Sequence, residues 1–181
     1  MSPSTSQKVA VDDGEIVVFL VGMTFNRPWK IRSWWPVFSA MPKMLRELQA
    51  NPELGLLSTS TTFGLRGPIV VQYWRSPEHL ERFARGRDHS HMPAWAAFMK
   101  TKAATNGDVG LWHETYVTRP GIRENLYLST PRIGFAKAAA TYRPVGAGEE
   151  TARKRRLGRE ATAAPQDGAV EAPTPAADTT A

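Results

Sequence analysis

Apolar positions along the chain fall into blocks of two alternating kinds, continuous or period-two runs and stripes at spacings of three and four. Residues 15–24 (Glu-Ile-Val-Val-Phe-Leu-Val-Gly-Met-Thr) form an unbroken β-branched run between Gly14 and Asn26-Arg27-Pro28. That pattern predicts a strand buried on both faces. In residues 33–48 the apolar positions Trp34, Val37, Phe38, Met41, Leu45 and Leu48 recur at helical spacing. Ser33 is the expected N-cap and Pro36 is expected in the first turn, where a missing N–H costs little. Pro42 is expected to kink this helix or split it in two. Residues 54–63 alternate weakly and are rich in Ser and Thr. The sequence Gly64-Leu-Arg-Gly67 then turns the chain into the strong strand 68–75, so the pair reads as a hairpin with a four-residue connection. Ser76-Pro77-Glu78, in front of Leu80, Phe83 and Ala84, is a helix start with cap, proline and first-turn acid in order. Residues 88–99 carry Met92, Trp95, Phe98 and Met99 on a second helical stripe. A turn at 106–108 leads to the strand 109–117, and residues 125–129 suggest a short edge strand.

The resulting order, β-α-β-β-α-β, is the ferredoxin-like α+β arrangement. Its helices lie on one face of the sheet. The other face carries Ile, Val, Tyr and Trp and needs a cover, which a second copy of the chain would supply, so a homodimer is expected. The folded domain is expected at 14–143. Residues 1–13 are polar and read as a flexible segment. Residues 144–181 read as a disordered tail rich in Ala, Pro and Thr, with a short basic cluster around 153–159.

Composition narrows the function classes. The chain has 181 residues, no Cys and a formal net charge of +6. Without Cys there is no disulfide, thiolate-held cluster or Cys nucleophile. No stretch approaches the ~18 apolar residues of a membrane span, and the N-terminus lacks the apolar centre of a signal peptide. A cytoplasmic protein with no membrane partner is the expectation. Residues 1–146 hold 18 basic and 11 acidic side chains, scattered rather than gathered in a stripe, whereas 147–181 hold five basic and six acidic. Scattered charge argues against nucleic acid as a partner. Phosphate-binding Gly-rich loops, G-x-S-x-G and H-E-x-x-H are all absent from the sequence.

Four histidines remain as candidates. His79 lies early in an amphipathic helix and reads as a surface residue. His89 and His91 form a His-x-His whose side chains diverge on a helix, so no metal site is assigned. His113 lies mid-strand. Alternation puts His113 on one face with Leu111 and Thr115, and Glu114 on the other with Trp112 and Tyr116, so each face sets an ionisable group among apolar neighbours. Which face lines a pocket is left open. His113, Glu114, Arg75 and Tyr116 are therefore the candidate catalytic residues. Gln72, Trp74, Trp112, Trp95, His91 and Tyr127 are the candidate substrate contacts, suited to a flat hydrophobic ligand.

Five strings carry a resemblance: Phe25-Asn-Arg-Pro-Trp29, Ala40-Met-Pro-Lys-Met-Leu-Arg-Glu-Leu48, Gln72-Tyr-Trp-Arg-Ser76, His91-Met-Pro-Ala-Trp95 and Val109-Gly-Leu-Trp-His-Glu-Thr-Tyr116. Over residues 15–135 the chain resembles a group of bacterial and fungal proteins named as monooxygenases for their similarity to the fumagillin-pathway monooxygenase. The resemblance implies a dimeric α+β barrel of the antibiotic-biosynthesis-monooxygenase kind and a monooxygenase acting on a small aromatic or polyketide-like molecule, in secondary metabolism or detoxification. Relatives on that fold include oxygenases that need no cofactor and haem proteins. The cofactor is accordingly either none or haem, with His113 or His91 as the axial ligand in the second case. A non-catalytic ligand-binding module is the third reading.

Overall fold

The computed structural model describes residues 6–86, 91–105 and 107–155. The main sheet has four antiparallel strands: β2 (Ile16–Phe25), β3 (Leu56–Gly64), β4 (Gly67–Trp74) and β5 (Val109–Thr118). Their order is β3-β4-β2-β5, as a ferredoxin-like β-α-β-β-α-β chain requires when each crossover skips one place. The three helices α1 (Ile31–Ala50), α2 (Pro77–Arg85) and α3 (His91–Thr105) are the crossovers. The continuous apolar run becomes the central strand β2, paired on one side with β4 and on the other with β5.

Side-chain alternation sorts the sheet into two faces. Val17 on β2 and Trp74 on β4 face the helices and form a buried cluster with Leu48 of α1 and Phe83 of α2. A second cluster joins Met23 and Val109 to Phe98 of α3, with Trp34, Val37 and Phe38 of α1 packed against it. On the opposite face the Trp112 indole lies over Gly22. A Cβ at Gly22 would sit 2.2 Å from the ring, so only glycine admits that packing.

Several local expectations change. The α1 helix runs unbroken through both Pro36 and Pro42. Both prolines lie on its exposed side, where the carbonyls they leave unpaired can take water instead of being buried without a partner. The helix begins at Ile31, with Lys30 as N-cap and no side-chain cap bond, so Pro36 stands in the second turn and Ser33 is not the cap. At the hairpin, Gly64 pairs with Gly67, which leaves two residues, Leu65 and Arg66, as the tip. Ser76 does cap α2, its hydroxyl accepting the His79 N–H.

The larger correction concerns the ends. Residues 7–11 are not loose: they form strand β1 (Gln7–Val11), with Val9 and Ala10 fully buried. β1 pairs with β6 (Tyr127–Leu128) and β7 (Thr141–Pro144) in a second, three-stranded sheet. Asn125 extends that ladder with its side chain, accepting the Ala10 N–H at 2.7 Å and donating to the Ala10 carbonyl at 2.9 Å. The tail is ordered at its start too: the Val145 N–H donates to Gln7 O, and the buried Arg155 pairs with Glu124 at 2.6 Å. Residues 156–181, with Arg156 and Arg159 of the basic cluster, lie outside the described residues. Short polar segments carry too little apolar pattern to announce a strand when their partners stand more than 100 positions away. Helix α4 (Phe135–Ala138) of this layer meets β3 and β4, where the Phe135 and Tyr73 rings lie 6.0 Å apart. The chain thus covers part of its own outer sheet face.

At the far end of the sheet, Asp108 is 1% exposed and collects the turn between β2 and α1. Its carboxylate accepts from Arg27 at 2.5 Å, from Lys30 at 2.9 and 3.1 Å, and from Ser33 at 3.4 Å. Its backbone carbonyl accepts the Asn26 and Arg27 N–H groups. The hydrogen bond from Lys30, followed by that from Arg27, holds the carboxyl below the usual aspartate range, against the opposing effect of burial.

Two outcomes are expected. Gly22→Ala loses about 1–3 kcal/mol of stability by overpacking against Trp112, measured by denaturant unfolding; an unchanged midpoint would contradict the packing. Asp108→Asn lowers Tm at neutral pH. Because the folded-state pKa is depressed, the carboxylate's contribution is complete above its unfolded value of about 3.9 and is lost as pH falls below it. The Tm gap between the two proteins therefore narrows in acid, and a gap independent of pH would refute the role.

Candidate active site

Between the helix-facing side of the sheet and the three helices lies a cavity of about 300 Å³, within the size range of small-molecule sites. Its walls are largely apolar: Phe19, Val21 and Met23 from β2, Val70 from β4, Val37, Phe38, Met41 and Leu45 from α1, and Phe83 from α2. The polar side chains on the wall are few, namely Gln72, Thr61, His91 and His113. The cavity meets solvent where lining residues are themselves exposed, at Phe63 on the hairpin, Trp95 on α3 and His113 on β5.

Register explains how the polar groups converge. His113 lies opposite Val21 on β2, and Gln72 lies opposite Phe19 from the other side of β2. All four point to the helices, and the Phe19 and His113 rings are 5.6 Å apart. Gln72 is 4% exposed, and its Oε1 accepts the Trp74 indole N–H at 3.0 Å. An indole nitrogen can only donate, so the bond fixes which way the amide points. Gln72 itself lines the cavity, and its NH2 makes no hydrogen bond to the protein among the described residues.

His91 is fixed by the same reasoning. Its Nδ1 lies 2.9 Å from the Ala84 carbonyl. A carbonyl only accepts, so Nδ1 carries a proton and Nε2 is the nitrogen free to accept one or to ligate. The ring rests against Phe83 at 6.0 Å and borders the cavity.

Of the ten candidates from the sequence, the structure brings six to the cavity: His113, Gln72, Trp74, Trp95, His91 and Trp112. Trp112 borders the floor beside Gly22, with its indole packed on the outer face. Four candidates lie elsewhere. Glu114 and Tyr116 occupy the outer face by alternation and satisfy each other, the Tyr116 hydroxyl donating to Glu114 at 2.8 Å. That bond raises the Tyr116 pKa, which further unsuits it as a base. Arg75 follows β4 in the outward phase and is exposed, and its backbone N–H donates to Gly55 O. Tyr127 belongs to the second sheet, where its hydroxyl accepts the Ala136 N–H at 3.0 Å. His79 binds Ser76 at 2.9 Å and lies beneath Gly55, and His89 is outside the described residues. No group of three or more metal-ligating side chains occurs among the described residues. The contribution of α1 was missed as a site: Val37, Phe38, Met41 and Leu45 read as core, and nothing local separates a core stripe from a cavity wall.

Residues 16–135 match the family described as monooxygenase af470-like. The chain belongs to that family. It is 26% identical over 126 residues to monooxygenase af470 of Aspergillus fumigatus, a match covering 64% of this chain and 43% of that protein. The chain thus spans less than half the length of this curated relative. Among solved structures it is similar to SnoaB, a cofactor-independent oxygenase from Streptomyces nogalater, at 13% identity and a TM-score of 0.41, covering 59% of this chain and 95% of SnoaB. It is also similar to a dimeric ferredoxin-like protein of unknown function from Bacteroides fragilis, at 10% identity and a TM-score of 0.40, covering 56% of this chain and 94% of that one.

Proposed function

We propose that this family member is an oxygenase that binds a hydrophobic, aromatic or polyketide-like molecule in the cavity, in secondary metabolism or detoxification. The observation that carries the reading is the Gln72 amide, buried and oriented by Trp74, on the same apolar wall as the His113 imidazole. An imidazole there can take a proton from a CH2 or hydroxyl activated by flanking aromatic rings. The amide NH2 then hydrogen-bonds the oxygen on which the negative charge settles. For a ring-flanked CH2 the overall reaction balances as CH2 and O2 giving C=O and H2O, with the substrate supplying the electrons. The apolar walls keep water from the carbanion.

A haem reading ranks second and rests on His91. An imidazole whose Nδ1 donates to a backbone carbonyl leaves Nε2 as the nitrogen that would hold a haem iron. Bound haem would supply redox chemistry at iron, but about 300 Å³ is tight for the macrocycle.

Assembly as a homodimer belongs to the same proposal. The second sheet leaves the β5 side of the outer face open, with Tyr116 53% exposed on an edge strand. A partner's sheet would cover it.

Oxygen-electrode traces over a panel of phenolic and anthrone-like compounds test the activity. His113→Ala should lower kcat by roughly 10²–10⁴ and Gln72→Leu by roughly 10²–10³. Full turnover in both variants would sink the assignment. Tight binding without oxygen uptake would make the chain a sequestering protein, and a Soret band on hemin titration, lost in His91→Ala, would favour haem. Light scattering should return twice the 20.0 kDa chain mass, with Tyr116→Asp shifting it toward one; a monomeric parent would rule the dimer out.

A further inference from the structure

One end of the molecule carries apolar side chains that the core does not use. Trp29 is 73% exposed, Ile31 57% and Trp35 54%; on the hairpin beside them Phe63 is 68% and Leu65 fully exposed. They form one surface. The Phe25 N–H donates to Arg66 O, which ties the hairpin tip to the end of β2, and the Phe38 ring lies 5.8 Å from Trp35 and 6.3 Å from Phe63. The surface is held rigidly: Asp108 binds Arg27 and Lys30 on either side of Trp29, and the Trp34 indole donates to Pro28 O.

The charge of this end has one sign. Residues 16–46 and 54–75 contain no Asp or Glu, and Asp108, whose carboxylate binds Arg27 and Lys30 there, is itself buried. Arg32 and Arg66 are exposed among the apolar residues, and neither meets a carboxylate among the described residues. Phe63 belongs to this surface and also lines the cavity, so the apolar interior opens beside it.

We propose that this end docks on an anionic lipid bilayer, with Trp29, Trp35 and Leu65 entering the headgroup–acyl boundary and Arg32 and Arg66 meeting lipid phosphates. Tryptophan is enriched at that boundary because its ring is apolar and its N–H polar, and basic side chains around an apolar face add attraction to anionic lipid. Shape selects a bilayer over a folded partner. A leucine at the tip of a two-residue hairpin projects, and a fluid surface yields to a projection where a protein must already have a matching hollow. Docked this way, the opening at Phe63 lies at the membrane surface, so a lipophilic ligand passes between bilayer and cavity without crossing water. Such a path serves an oxygenase and a sequestering protein alike. Docking of this kind needs no membrane-crossing segment, and among the described residues no helix is long and apolar enough to cross a bilayer.

The full chain is sedimented with phosphatidylcholine vesicles and with vesicles in which one third of the lipid is phosphatidylglycerol. Binding is expected to the anionic vesicles, weakening with salt. Brominated acyl chains should quench the parent's tryptophan emission, a readout that needs no variant. Arg32→Glu with Arg66→Glu should weaken binding by about thirtyfold or more. Trp29→Ser with Leu65→Ser should abolish quenching by brominated lipid while the melting curve is kept. The proposal is overturned if the parent ignores anionic vesicles, if folded variants bind as the parent does, or if Leu65→Ser instead breaks an oligomer, which would assign the surface to self-association.

Discussion

The buried carboxylate of Asp108 is the constraint on which the seating of α1 over the sheet depends. It sits where β5 starts, yet its partners are Arg27, Lys30 and Ser33, about 80 positions earlier. Through them it sets where β2 ends, where α1 begins and how α1 is laid over the sheet. A carboxylate at this depth is tolerable only with cationic partners, and removing either side leaves a charge without compensation. One residue thus couples the first crossover to the last strand of the main sheet. The helix that roofs the cavity hangs from that coupling.

The rest of the site follows from sheet geometry. With β2 in the centre, its odd-numbered residues face the helices, and the register assigns Gln72 on one neighbour and His113 on the other to the same side. The walls supply hydrophobic recognition, and the polar groups are few but oriented. Trp74 fixes the direction of the Gln72 amide, and Ala84 fixes the tautomer of His91. Such orientation is set in advance by the fold, so a ligand entering the cavity meets polar groups already aimed. On the opposite face, the glycine at position 22 lets Trp112 lie flat on the sheet, and the second sheet closes part of what remains.

The termini show that β1, β6 and β7 form a layer no local pattern announces. Val9 and Ala10 are fully buried, yet the segment around them is polar. Its stability derives from Asn125, from Arg123 donating to the Asp12 carbonyl, and from pairing with strands far along the chain. The same layer reduces how much of the outer face a second copy would need to cover.

By itself the sequence determined the order of the main sheet's strands and helices, the burial of β2, the capped start of α2 and the division of β5 into a His113 face and a Glu114 face. These depend on periodicity and on local hydrogen bonds, which a short window of residues contains. Only the tertiary structure decided which of those faces lines the cavity, because alternation states that two faces exist and packing chooses the one that meets the helices. It also placed Glu114, Tyr116, Arg75 and Tyr127 away from the cavity, turned a core-like stripe on α1 into a cavity wall, and made a strand of residues 7–11. Each of those outcomes depends on contacts between residues far apart in the chain, where the free energy of burial and pairing resides and where no local pattern records it.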